Sequence, residues 1–569
     1  MITSPQNRID EYTANGWWGT ETLHHLVEKT FNVSPERLAV ADPPNKEALT
    51  GLDNLRLNYA QLNYAADNLA EQFLRSGVVV EEKLIVQLPN VVELVVTYLA
   101  ASKLGAIVSP VPVQYGQHEL ESISKVLKAK TIVSCSQFKG EPLASIASGL
   151  NVLYFGKGLE GGDDQEGGSG TTQLQINTNA NSTQALDAHR LDHSSIIDDA
   201  NSIYTICWTS GTTGTPKGVP RSHNMWIATA RSEVTACDFR PGDHFLNPFP
   251  LINMAAIGGF LFPWAKFGST LFLHHPLDAG IYLQQLQQEK ITFTIAPPAL
   301  LNQLAQSPDN WNQFDFAALR RIGSGSAPLA PAMIETFSSD YGKEIINFYG
   351  SNEGICLLSD VETASTPEQR ASMFPRLGFA DLPWKGEVFE FAKTKVVDTN
   401  SGDEIHQAGM SGELLFAGPT IFDGYYDVES HGDVFSEDGY FRTGDLVEIC
   451  GEGERYYRIV GRCKDIINRG GMKLSPSELD QLLEGYSGLQ EVAVCAYPDE
   501  RLSEKVCACV VAKDGEKAPK LSDLTDYLIE QGVAKYKLPE RIEVFEQLPR
   551  NPMGKVLRFE LSDLVAERD

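Results

Sequence analysis

LIVQLPNVVELVVTYLAASKLGAIVSPVPV, residues 84–113, places a longer apolar stretch between two short ones. LIVQLPN is a short apolar run with Pro89 near its end, VVELVVTYLAASKLG has helical length and spacing, and AIVSPVPV is another apolar run. HELESISKVLKAK (118–130) then reads as an amphipathic helix and TIVSC (131–135) as a strand. Strand–helix–strand order of this kind predicts an α/β fold with a largely parallel sheet. Glu93 and Lys103 interrupt the apolar stretch, so it reads as a buried helix and strand rather than a membrane span.

Outward from this stretch the same alternation returns. It recurs at KITFTIAPPALLNQL, at LRRIGSGSAPL followed by PAMIETFSSDYG, and at IINFYG. Residues 157–184 are polar and Gly-rich without a period, and are expected to form an exposed, partly mobile loop between subdomains. From Gly378 the elements shorten and glycines multiply, which predicts a small β-rich subdomain. After about Arg462 comes an α+β tail, with strands at EVAVCAYP and KVCACVVA and a helix at LSDLTDYLIEQG. The expected architecture is a large N-terminal domain of layered α/β subdomains with the β-rich subdomain, residues 1–461, and a small mobile α+β domain, 462–569.

With 569 residues the chain is too long for one compact core. Its net charge of −28 argues against nucleic acid or an anionic membrane as the main partner. The nine cysteines (135, 207, 237, 356, 450, 463, 495, 507 and 509) show no metal-binding spacing such as CxxC. Cys507 and Cys509 share one face of a strand and are expected to be buried rather than ligating. Free thiols suit a reducing cytosol. The N-terminus has no apolar h-region of a signal peptide, so the expected location is cytoplasmic.

WTSGTTGTPKGVP, 208–220, concentrates small hydroxyl residues and glycines around one cation. Such a loop suits phosphate: glycine admits backbone N–H groups to the oxygens, hydroxyls donate further bonds, and lysine supplies charge. It is not a Walker A loop, because Lys217 follows Pro216 and precedes Gly218.

The stretch resembles the nucleotide loop of the adenylate-forming superfamily: acyl- and aryl-CoA ligases, aryl-AMP ligases, peptide-synthetase adenylation domains and luciferases. Four further segments resemble the family in order: NFYGSNEG (347–354), YFRTGDL (440–446), GRCKDIINRGGMKLSPSELD (461–480) and LPRNPMGKVLR (548–558). LNYAQLNYAADNLA (57–70) resembles the family's first helical motif. The resemblance covers nearly the whole chain. It implies that ATP and a carboxylic acid yield an acyl-adenylate and pyrophosphate, after which a thiol displaces AMP. Two anions must then approach one another, so cations and donors are needed in place beforehand.

The resemblance also implies roles. Thr209, Ser210, Gly211, Thr212, Thr213, Gly214 and Lys217 would hold the β- and γ-phosphates. Glu353 would bind Mg2+, a hard cation suited to carboxylate oxygen. Asn352 stands where the family usually has Thr, and its amide can still donate to the α-phosphate. Tyr349 would stack on adenine and Asn347 bond its exocyclic amine. Asp445 would accept from both ribose hydroxyls, with Arg462 reaching the same ribose. Lys555 would bridge the attacking carboxylate and the α-phosphate. Lys464 falls at the family's hinge, beyond which Gly470 and Gly471 turn toward a thiol tunnel. His223 matches a family histidine whose role is open between catalysis and structure.

For the acid, the segment 247–264, NPFPLINMAAIGGFLFPW, contains no Asp, which argues against an α-amino acid. Counted back from Gly268, Asn253 matches the Asn with which aryl-acid ligases bond a ring hydroxyl. Counted forward from Pro250, it matches a His of many acyl-CoA ligases. Met254 through Gly259, Gly258 included, form a mostly small apolar lining that leaves room for a bulky hydrophobic or cyclic acid. GSGSAPL (323–329) resembles the family's GGAPL segment, placing Gly325, Ser326 and Ala327 beside substrate and adenine. EYTANGWWGTETL (11–23) and INRGG (467–471) resemble aryl-AMP ligases and aromatic or alicyclic acid CoA ligases. With no carrier domain fused, CoA is the expected acceptor and a separate carrier protein the rival. A luciferase-like oxygenase and a non-catalytic nucleotide-binding relative are the readings from other classes.

Overall fold

The computed structural model describes all residues except 144–148, 158–169, 210–216, 326, 383, 428–433, 471, 500, 514, 551–553 and 569, and of Lys473 only the backbone. The chain forms two compact units. The first holds most of residues 1–393 together with 417–439, and the second 394–416 and 440–569.

The first unit carries two large sheets, besides a two-stranded one of Gln137–Phe138 and Glu141–Pro142. One has seven strands in the order Lys217–Ser222, Ile203–Thr209, Ile107–Pro110, Lys83–Gln87, Thr131–Cys135, Asn151–Phe155, Thr171–Leu174. All its neighbours pair in parallel except the first two strands. The other has eight, in the order Cys356–Ser359, Glu344–Gly350, Arg321–Gly325, Phe293–Ile295, His244–Asn247, Thr270–Leu273, Leu38–Ala41, Arg56–Asn58. Only its two outermost pairs are antiparallel. Val40 lies opposite Leu271, so an early strand completes a sheet whose other members come much later in the chain.

Burial on both faces explains the unbroken apolar runs of the sequence. On Lys83–Gln87, Leu84 and Val86 join one buried cluster and Ile85 another. The larger cluster packs the inner faces of both sheets against the helices Tyr59–Arg75, Val92–Leu104 and His223–Cys237. Every residue of Val92–Leu104 is buried. Its two charges are paired: Glu93 with Lys46 at 2.8 Å, and Lys103 with Glu28 at 2.9 Å and Asp67 at 2.7 Å. Among the described residues no helix is long and apolar enough to cross a membrane.

One expectation is corrected. Within 157–184, expected to be a loop, Thr171–Leu174 is the edge strand of the seven-stranded sheet. Its polar sequence, TTQL, carries no apolar run because three of its four residues are exposed. Residues 158–169 of that stretch lie outside the described ones.

In the second unit, strands Tyr456–Arg462, Phe441–Cys450, Ser411–Ala417, Lys393–Val397 and Glu404–Ile405 follow one another in a sheet, as the β-rich reading expects. The tail builds a sheet in the order Met472–Leu474, Ile467–Arg469, Ser503–Ala512, Leu489–Asp499, with Arg541–Val544 parallel to Ser503–Ala512. Helices Pro476–Leu483 and Leu521–Glu530 supply Leu479, Leu483, Leu524 and Leu528 to its core.

Candidate active site

Thr209 and Lys217 sit opposite one another on an antiparallel strand pair. Ser210, Gly211, Thr212, Thr213 and Gly214, the expected phosphate holders between them, lie outside the described residues. The Lys217 ammonium stands 4.7 Å from the centre of the Tyr425 ring. The Tyr425 hydroxyl donates to Glu353 Oε1 at 2.8 Å, and Glu353 is only 8% exposed. A cation, a phenol and a carboxylate thus form one group. Tyr425 escaped the sequence reading; only the aromatic run Tyr425–Tyr426 hints at it.

The backbone holds Glu353 tightly. Gly354 has φ of +112°, and a Cβ there would fall 1.9 Å from the Thr420 carbonyl, so no other residue fits the turn. The Phe422 N–H donates to the Glu353 carbonyl at 2.9 Å. Asn352 ties two segments together: Nδ2 donates to the Trp208 carbonyl at 3.2 Å, and Oδ1 accepts from the Met254 N–H at 2.8 Å. Its side chain thereby joins the end of the phosphate-loop strand to the start of the acid segment.

A second residue without a sequence signal is Arg221, fully buried. Its guanidinium lies 3.9 Å from the Trp226 ring and donates to the Thr229 hydroxyl and the Thr420 carbonyl at 2.8 Å each. It also reaches the Asn352 carbonyl at 3.3 Å. Burial pushes its pKa down to about 10, which leaves it charged at neutral pH. On the helix that follows, His223–Cys237, burial pushes the Glu233 carboxyl up to about 8 against the pull of Arg221.

Asn347 spends both amide hydrogens on the Arg370 and Ala371 carbonyls, each at 2.9 Å, so its Oδ1 is presented as an acceptor. Tyr349 is half-buried, its ring centre 5.7 Å from that of Phe374. Gly325 adjoins Phe348, whose carbonyl a Cβ would approach to 2.3 Å. Ala327 is exposed, and Ser326 lies outside the described residues.

The acid segment is a short helix, Met254–Ala256, running into a π-helical turn, Ile257–Leu261. A Cβ on Gly258 would meet the Met254 sulfur at 2.9 Å and Thr229 at 3.0 Å. Asn253 precedes the helix, and its Oδ1 is buried with no hydrogen-bond partner among the described residues. His223 is buried, accepts from the Leu23 N–H at 3.2 Å and stacks on Tyr204. Burial holds its pKa well below the usual histidine value, which suits a neutral, positioning ring.

In the second unit, Asp445 and Arg462 are cross-strand neighbours, ion-paired at 2.6 Å. Asp445 is 8% exposed. Lys555 keeps exposed surface, yet packing around its ammonium and then the Arg462 guanidinium push its pKa down, with Asp445 and Asp465 opposing. Lys464 is likewise exposed; crowding first, then Arg462, push it down to about 8. Gly470 has φ of +59° and donates to the Leu502 carbonyl at 2.7 Å, while Gly471 lies outside the described residues. A polar cavity of about 260 Å³ bounded by Glu28, Asn63, Asp67, Lys103, Asp187 and Arg190 shares no residue with either group.

The family described as AMP-binding enzyme matches residues 36–426, and the AMP-binding enzyme C-terminal domain matches 478–555. The chain is 28% identical to the medium-chain fatty-acid–CoA ligase of Escherichia coli, over 100% of this chain and 94% of that protein. It is 24% identical to the 2,3-dihydroxybenzoate-AMP ligase of Bacillus subtilis, over 99% and 97%. Among solved structures, the ATP-bound RpMatB-BxBclM chimera B3 superimposes with a TM-score of 0.73 at 25% identity, covering 96% of this chain and 99% of that one. From residue 36 through the C-terminal sheet, the chain therefore belongs to the AMP-binding enzymes, the adenylate-forming superfamily whose members activate acids as acyl-CoA or aryl-AMP ligases.

Proposed function

We propose that this chain joins a hydrophobic aryl, alicyclic or fatty acid to AMP, using ATP and Mg2+, and then passes the acyl group to the thiol of CoA. The observation that carries this reading is the gathering of Asp445, Arg462 and Lys555 within electrostatic reach of one another. A carboxylate able to hold two ribose hydroxyls thus stands beside a lysine able to bring an acid's carboxylate to the α-phosphate. Lys217 supplies charge at the phosphate loop. Glu353, an oxygen donor fixed by Tyr425, is the residue that would hold Mg2+, whose charge offsets that of the phosphates. Tyr349 and the Oδ1 of Asn347 face the adenine ring and its amine.

Asn253, Met254, Gly258, Gly325, Ser326 and Ala327 border the acid. The unpartnered, buried Oδ1 of Asn253 favours an acid bearing a hydrogen-bond donor, such as a ring hydroxyl, because a buried acceptor without a donor is costly. That is also the observation behind the second reading, an aryl-AMP ligase that loads a separate carrier protein. Residues 1–461 and 462–569 are the bodies that rotate about Lys464 between half-reactions, bringing Gly470 and Gly471 to the thiol.

Mass spectrometry of reactions holding ATP, Mg2+ and a panel of aryl, alicyclic, steroidal and fatty acids, with and without CoA, tests both. An acyl-CoA from one acid class is the expected product. Acyl-adenylate that accumulates in the presence of CoA would transfer the assignment to a carrier-protein acceptor. Light with oxygen uptake, or ATP binding without pyrophosphate release, would reject the ligase.

A further inference from the structure

Three thiols converge in the C-terminal sheet. Cys495, on Leu489–Asp499, lies directly opposite Cys507, on Ser503–Ala512. Cys507 and Cys509 are two residues apart and share a strand face. The three sulfurs all lie within 4.8 Å of one another, with those of Cys495 and Cys509 3.6 Å apart. All three are free thiols and none is more than 1% exposed. The helix Arg558–Glu567 covers them, with Leu561 and Val565 in the same buried cluster. From that helix the Ser562 hydroxyl comes close enough to act on the Cys495 thiol, and the Arg558 guanidinium lies near it, held by Asp480 and the Val494 carbonyl.

Three sulfurs around one ion at about 2.3 Å in a plane stand about 4 Å apart, close to the spacing here. Among the described residues the group holds sulfur alone, with no carboxylate or imidazole. That donor set excludes hard cations such as Mg2+ and Ca2+ and selects soft or borderline ones. The sequence spacing hid the set, because one sulfur comes from a neighbouring strand and the other two are separated by a single residue.

We propose that Cys495, Cys507 and Cys509 form a trithiolate site for one thiophilic d10 cation, of the zinc or cuprous class. On binding, three S–H bonds break, the protons leave to solvent, three sulfur–metal bonds form, and no electron is transferred. With a divalent ion the centre carries one negative charge, which Arg558 offsets. The Ser562 oxygen is the neutral donor placed to fill a fourth position. The ion fastens the two long strands together beneath the covering helix and so stabilises the C-terminal sheet.

The test uses the full chain, reduced, stripped with a chelator and titrated anaerobically with Cd2+ as the probe. The expected result is a sulfur-to-metal ultraviolet band saturating at one ion per chain, three sulfurs around the ion by X-ray absorption, and a higher Tm. Cys495→Ser and Cys507→Ser each abolish the saturable band, whereas Cys463→Ser keeps it. Should the serine variants fold poorly, X-ray absorption on the unaltered chain decides, and an oxygen- and nitrogen-dominated shell overturns the site. So does the absence of a saturable band, or a band that persists in folded Cys495→Ser protein.

Discussion

Tyr425 lies between Lys217 and Glu353, touching one with its ring and the other with its hydroxyl. Tyr425→Phe keeps the ring and removes a bond to a carboxylate, an interaction worth about 1.5–3 kcal/mol. The expected outcome is a roughly tenfold or greater fall in kcat/KM for acyl-adenylate formation, partly recovered at high Mg2+, read by pyrophosphate release. Lys555 gives a sharper split. Lys555→Ala is expected to slow adenylation by about 10²–10³, while transfer from pre-made acyl-adenylate survives. Equal losses in the two half-reactions would refute its role. Lys555 and Asp445 were legible in the sequence because each sits in a short contiguous motif. Tyr425 and Arg221 were not, because their contacts join residues far apart in the chain and exist only once the sheets have formed.

At the scale of an element, the helix His223–Cys237 carries a titration that the whole first unit feels. The folded state holds the Glu233 proton up to about pH 8, while the unfolded chain releases it near the ordinary glutamate value of 4.5. The native state therefore binds more protons throughout that window, and stability falls as pH rises through it. Denaturant midpoints are expected to decline from pH 5 to 8 in the unaltered chain and to decline less in Glu233→Gln. Parallel slopes would show that Glu233 is not the group responsible. The element order was readable for a related reason: strands covered on both faces, like Lys83–Gln87 and Thr131–Cys135, are written as apolar runs. Thr171–Leu174 was lost because an edge strand with exposed side chains has the composition of a loop, and only its backbone pairing with Asn151–Phe155 marks it.

For the whole molecule, the proposed rotation about Lys464 separates two activities that share one chain. Lys464→Pro fixes φ at that position. It is expected to leave adenylation within about twofold and to cut thioester formation by about tenfold or more, measured as acyl-CoA appearance from pre-made adenylate. An unchanged overall rate would place the pivot elsewhere. The strand Leu38–Ala41 has a different consequence for the intact chain. Its partner, Thr270–Leu273, is synthesised more than two hundred residues later. On the ribosome this early strand must wait, its apolar faces uncovered, until the later one emerges. The seven-stranded sheet can assemble sooner, but its helices bury their inner faces against both sheets, so it cannot seal its core alone. The nascent first half is thus a natural client for a chaperone, and the commitment to fold comes late in translation.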